Sequence, residues 1–205
     1  MSFSGLDIYG FHVLEALQCL TERRKGGETG VSAVQCLQND DCWNFLSSEA
    51  WAGKLFEASI ARSESRRPGD MKSLAKAPTA FVIDYKDGLR AAAFLMTGLV
   101  SDFTAAVDLP GQSTPFSTLM KLQAGRPHHH FGCLVQNIEK MFETGKPPYP
   151  VERTMLTSAI LDVALESRIQ GYKKLATPQL ETVRYQTPDA SHFCSKGWGP
   201  DRKRL

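Results

Sequence analysis

The sequence has no apolar run approaching the roughly 20 residues that a membrane-spanning helix needs. Its longest markedly apolar stretch is residues 91–100. Neither GxGxxG nor GxxxxGK[ST] occurs, so neither common phosphate cradle is written into the chain. There is no GxSxG to mark a hydrolase nucleophile. The five cysteines (Cys19, Cys36, Cys42, Cys133 and Cys194) include no CxxC, a pattern that predicts reduced thiols rather than a disulfide frame or a zinc cluster. Excess charge is missing too. Twenty-four Lys and Arg against 22 Asp and Glu leave +2, which supplies no general attraction to nucleic acid or to an anionic membrane. The opening Met-Ser-Phe-Ser-Gly carries neither the basic nor the apolar region of a signal peptide. Together these absences predict a soluble, cytoplasmic protein with no nucleic-acid or membrane partner.

What is present is globular in proportion: 42% hydrophobic and 22% charged residues over 205 positions, enough for one domain with its own core. Ile8, Phe11, Leu14, Leu17 and Leu20 recur at threes and predict an amphipathic helix running to the glycines at 26–27. After Gly30, Val31, Ala33 and Cys36 lie in a short β-like run that ends at Asn39-Asp40-Asp41, and a second helix is predicted across Trp51, Leu55, Phe56 and Ile60. Residues 62–72 read as a polar loop. Beyond them Asp87-Gly88 sits between two apolar runs, a hairpin signal, and residues 103–109 and 116–122 predict further strands. A helix through Phe131, Leu134, Val135, Ile138, Met141 and Phe142 is stopped by Gly145 and two prolines. Another, at 151–169, starts at Pro150 with an apolar face of Met155, Ala159, Ile160, Val163 and Ala164. A last strand is expected at 180–185, before a frayed tail at 197–205. Helices flanking hairpin-linked strands predict an α+β fold: an open, mainly antiparallel sheet with helices on one face and the other face free.

Few residues suggest chemistry. His12 lies on the first helix with Asp7 upstream and Glu15 three positions on, where a carboxylate can orient an imidazole as acid or base. The same pattern also suits a histidine hydrogen-bonded at the edge of the core. The glycines of Gly26-Gly27-Glu28-Thr29-Gly30 follow a helix and open a strand, the reverse of a phosphate loop, and read as a helix stop. His128, His129 and His130 are consecutive, so their side chains diverge; they read as the entry to the next helix rather than as metal ligands.

Three stretches, FHVLEALQC (11–19), ERRKGGETGV (22–31) and FETGKPPYPVERT (142–154), closely resemble the second half of a group of oxidoreductase-like proteins. ESRIQG (166–171) and the Ala176-Thr177-Pro178 that follows resemble that group's last helix and strand. The group resembles in turn the glucose-fructose oxidoreductase, inositol dehydrogenase and rhizopine-catabolism (Gfo/Idh/MocA) family. The resemblance implies a C-terminal domain whose open sheet receives substrate and often pairs subunits. It also implies a catalytic Asp and His on a helix of that domain. His12 stands in the position of that histidine; the family spaces its Asp three intervening residues before the His, whereas Asp7 is five positions before His12.

The family binds its nicotinamide dinucleotide, and keeps its catalytic Lys, on a Rossmann domain that precedes this one. The resemblance therefore implies no cofactor site in this chain, with NAD(P) supplied only by a partner or by a missing N-terminal domain. The expected function is an oxidoreductase-like accessory or tailoring component of a metabolic or secondary-metabolite pathway, acting on a small molecule without autonomous NAD(P) binding. One alternative is a substrate-binding and oligomerisation module, a homodimer or a partner of a separate nucleotide-binding subunit through the open sheet. The other is a cofactor-independent isomerase or dehydratase that uses His12.

Overall fold

The computed structural model describes residues 1–122 and 128–187. Their elements, in order, are α1 (Leu6–Thr21), β1 (Val31–Gln38), α2 (Asp40–Ser48), α3 (Ala50–Ile60), α4 (Met71–Leu74), β2 (Thr79–Tyr85) and β3 (Arg90–Leu95), then β4 (Phe103–Val107), β5 (Phe116–Met120), α5 (His129–Thr144), α6 (Val151–Ile169) and β6 (Leu175–Ala176). The fold is α+β, with antiparallel sheets. The main sheet has the order β3-β2-β1-β6, and every neighbouring pair is antiparallel. β4 and β5 pair separately as a two-stranded sheet, joined to α3 by a buried hydrogen bond between the Ser59 and Thr104 hydroxyls at 2.9 Å.

Side chains alternate across β2, and that alternation builds two cores. Phe81, Ile83 and Tyr85 point to one face, where they pack with Val34, Cys36, Ala93 and Leu95 beneath α1 and α6. Ala80 and Val82 point to the other, with Leu37 and Phe94 beneath Trp43, Phe56 and Ile60 of α2 and α3. The expected free face is therefore not found, because both faces of the main sheet carry helices. What α2 and α3 leave uncovered is polar: Asp84 is held by Arg90 and Lys174, and Gln35 donates to the Tyr172 carbonyl.

The other departures have local causes. The strand expected at 180–185 is turn and extended chain with one isolated bridge, Glu28 to Tyr185; the strand that joins the sheet is β6. α2 was not foreseen, since Asn39-Asp40-Asp41 reads as the end of a strand. Those aspartates instead sit in the first turn of a helix, where a carboxylate suits the helix dipole. The loop after α3 gives way to α4 at Met71, capped by Asp70, whose carboxylate accepts the Ser73 N–H at 2.8 Å. Cys19, Cys36 and Cys42 are free thiols, but Cys133 is disulfide-bonded, which corrects the reading of wholly reduced cysteines. Cys194 and the tail at 197–205 lie outside the described residues. No described helix is long and apolar enough to cross a membrane.

Candidate functional site

α1 carries all three residues singled out for chemistry, and its packing decides where each one points. The buried face is Leu6, Gly10, Val13, Leu14, Gln18 and Thr21. Gly10 is where the helix meets α6 and the sheet: a Cβ there would come within 2.9 Å of Leu161 Cδ1. Asp7 and His12 lie on the exposed side, and Glu15 is half-buried. Among the described residues no hydrogen bond joins His12 to either carboxylate. Glu15 turns instead to α6, where it accepts from Thr157 Oγ1 at 2.7 Å and forms an ion pair with Arg153. His12 thus stands outside the core and is not the core-edge histidine that one reading expected.

The neighbours of His12 are aromatic. Its ring meets Tyr9 edge-on at 5.2 Å; Tyr9 lies 4.8 Å from Phe3 and 6.1 Å from Phe103, centroid to centroid. Phe3 also lines a cleft of about 370 Å³, with Ser4, Ser65, Arg67, Thr97, Gly98, Val100 and Ser101. A volume of that order suits one small molecule. Among its lining residues Arg67 is exposed and donates from its guanidinium to the Gly98 carbonyl at 3.3 Å, and Ser4, Ser65, Thr97 and Ser101 are the hydroxyl-bearing ones. His12 is not a lining residue of this cleft; the aromatic contacts run from Phe3 through Tyr9 to His12 and on to Phe11, 6.2 Å from it.

The densest polar chemistry lies elsewhere, where the α1 C-terminus, the glycine loop, α6 and residue 185 converge. Arg153 Nε donates to Glu22 at 2.9 Å, and Tyr185 Oη donates to the same carboxylate at 3.0 Å. Gln18 Nε2 donates to Glu28 at 2.7 Å and to Tyr185 Oη at 2.6 Å. Arg24 reaches Glu28, Thr29 and Asp87 and stacks over the Tyr85 ring, 4.7 Å from its centroid. Burial pushes the Tyr85 and Tyr185 phenols well above their ordinary range, so both remain protonated donors at any physiological pH. Arg153 stays charged because Glu15 and Glu22 hold it so against its desolvation. Each buried carboxylate here already has its partners, and the arrangement works as a clamp between distant parts of the chain.

The glycine loop belongs to that clamp. Glu28 Oε1 accepts the backbone N–H groups of Thr29 at 2.9 Å and of Gly30 at 2.8 Å. These are the donors a phosphate would need, and an internal carboxylate occupies them. No sequence signal announced this, since Glu28 reads as a polar loop residue until Tyr185 is brought beside it.

Around the histidine run, His128 takes the N-cap position of α5 in a left-handed conformation (φ 52°), so the helix entry is where it was expected. Among the described residues no three His, Cys, Asp or Glu side chains gather as a metal site. Burial raises the Cys36 and Cys42 thiols to about 12, which makes them packing residues rather than nucleophiles. No protein-family model, curated protein or solved structure matches the chain.

Proposed function

We propose that the chain is an oxidoreductase-like accessory component that receives a small polar or anionic molecule and does not bind NAD(P) by itself. The observation that carries this reading is the glycine loop, whose Thr29 and Gly30 amides are taken by Glu28. A pyrophosphate at that loop would have to displace a fully buried carboxylate from its amide, Gln18 and Arg24 partners. The cleft lined by Phe3 and Arg67 is where this reading puts the small molecule, with Tyr9 and His12 following Phe3 in the aromatic contacts outside it. Hydride chemistry in this reading takes its dinucleotide from another chain or domain.

The test is titration of the purified chain with NADH and with NADPH, followed by nicotinamide fluorescence. No saturable signal is expected up to millimolar cofactor. Tight binding of either cofactor overturns the proposal.

A further inference from the structure

α5 carries its apolar side outward. Cys133 is buried and Gln136 and Asn137 are half-buried, whereas Phe131, Leu134, Val135, Ile138 and Phe142 are exposed, Phe131 at 58% and Phe142 at 80%. At about 100° per residue the five exposed side chains fall within a stripe roughly 100° wide. On a helix of this kind such a stripe is a docking face, not scattered surface.

The flanking charges say what covers it. A lipid surface calls for Lys and Arg beside the apolar stripe. Here Glu139 and Glu143 flank it, and Lys140 falls on the opposite side of the helix. The occupant is therefore protein.

The order of side chains in the stripe says which protein. It reads nearly the same from either end about a point between Gln136 and Asn137: Phe131 mirrors Phe142, and Val135 mirrors Ile138. Two antiparallel copies related by a two-fold axis at that point place Phe on Phe and Val on Ile, the self-complementarity that an isologous contact requires. From the exposed fractions the stripe offers roughly 500 Å² per copy, so about 1,000 Å² across the pair, the lower end of what a specific interface needs. We propose that α5 pairs antiparallel with α5 of a second copy of this chain along Phe131, Val135, Ile138 and Phe142. The contact uses this helix and not the main sheet, and it does not depend on what the cleft binds.

Sedimentation velocity on the full chain from 1 to 100 μM should show a concentration-dependent dimer. Val135→Asp and Ile138→Asp should each leave a folded monomer whose melting temperature equals that of the wild type at its lowest, monomeric concentration, since both positions are exposed in the single chain. Orientation is read by cysteine cross-linking under mild oxidation. In the antiparallel pair the two copies of residue 138 stand about 4–5 Å apart along the axis, within disulfide reach, and those of residue 142 about 16 Å apart. Ile138→Cys should therefore give a covalent dimer above the wild-type background, and Phe142→Cys should not. A monomer at every concentration, a dimer that survives both Asp variants, or cross-linking at both cysteines overturns the proposal. Association only after another protein is added also counts against it.

Discussion

Arg153 shows how a single side chain reverses a pattern-based reading. The boundaries of α6 follow from Pro150 and Gly171, but the face assigned to the core included Met155, which is 46% exposed, and left out Arg153, which is 5% exposed. Apolar periodicity cannot place an arginine inward. It lies there because Glu22, 131 positions earlier in the chain, and Glu15, 138 positions earlier, converge on it. A buried ion pair adds little net stability over an apolar substitute, yet removing one partner strands the others in low dielectric. Arg153→Ala is accordingly expected to cost about 3–5 kcal/mol, read by urea denaturation. Arg153→Met together with Glu22→Gln should recover part of that loss. A single variant within 1 kcal/mol of wild type would mean that water reaches the clamp. The same long-range pairing separates Glu15 from His12: the two share a helical face in sequence, and only the fold shows that Glu15 is taken by α6.

Elements whose signals are local were legible, and those that depend on distant partners were not. α1, β1, α3, the β2–β3 hairpin, α5 and α6 each follow from periodicity or from Gly and Pro punctuation within a few residues. β6 is two residues long and exists because β1 offers it an edge, so no propensity could mark it. The glycine loop is an intermediate case. Its glycines were legible as a stop after a helix, but α1 already ends at Thr21, and Gly27 and Gly30 serve the crossing of the 180–186 segment, whereas Gly26 has nothing within 4 Å. Gly30 has φ 91°, and a Cβ there would meet the Glu181 and Leu180 carbonyl oxygens at 2.6 and 2.7 Å. Gly88, in the hairpin turn, has nearly the same φ, 89°, with nothing within 4 Å. Substitution by Ala separates the two costs. Gly88→Ala is expected to lose about 1–2 kcal/mol from backbone conformation alone, and Gly30→Ala roughly 3 kcal/mol, because overlap with fixed backbone adds to it. Equal losses in thermal melts of the two variants would show that the crossing segment gives way.

At the scale of the whole molecule, the chain is closed by its late segment. β1 is central because β2 pairs along one edge and β6, from near the end of the described chain, pairs along the other. Just beyond β6, Leu180, Val183 and Tyr185 enter the same core cluster as α1 and Val34. Tyr185 also supplies the hydroxyl between Gln18 and Glu22, and the Thr177 hydroxyl donates to the Val31 carbonyl at 2.8 Å. A chain ended after Gly171 keeps both helices of the α1/α6 layer but loses three buried apolar side chains and leaves the buried Gln18, Glu22 and Glu28 with part of their partners gone. Each large apolar truncation in a core costs about 2–5 kcal/mol, against a total stability of about 5–15 kcal/mol for a domain. The shortened chain is therefore expected to lose its cooperative melt and its near-ultraviolet dichroism while keeping helical signal from α1 and α6. If it still melted in one sharp transition, α1, α6 and the β1–β2–β3 sheet would form a folding unit by themselves, and the clamp at Tyr185 would be an addition to that unit rather than its closure.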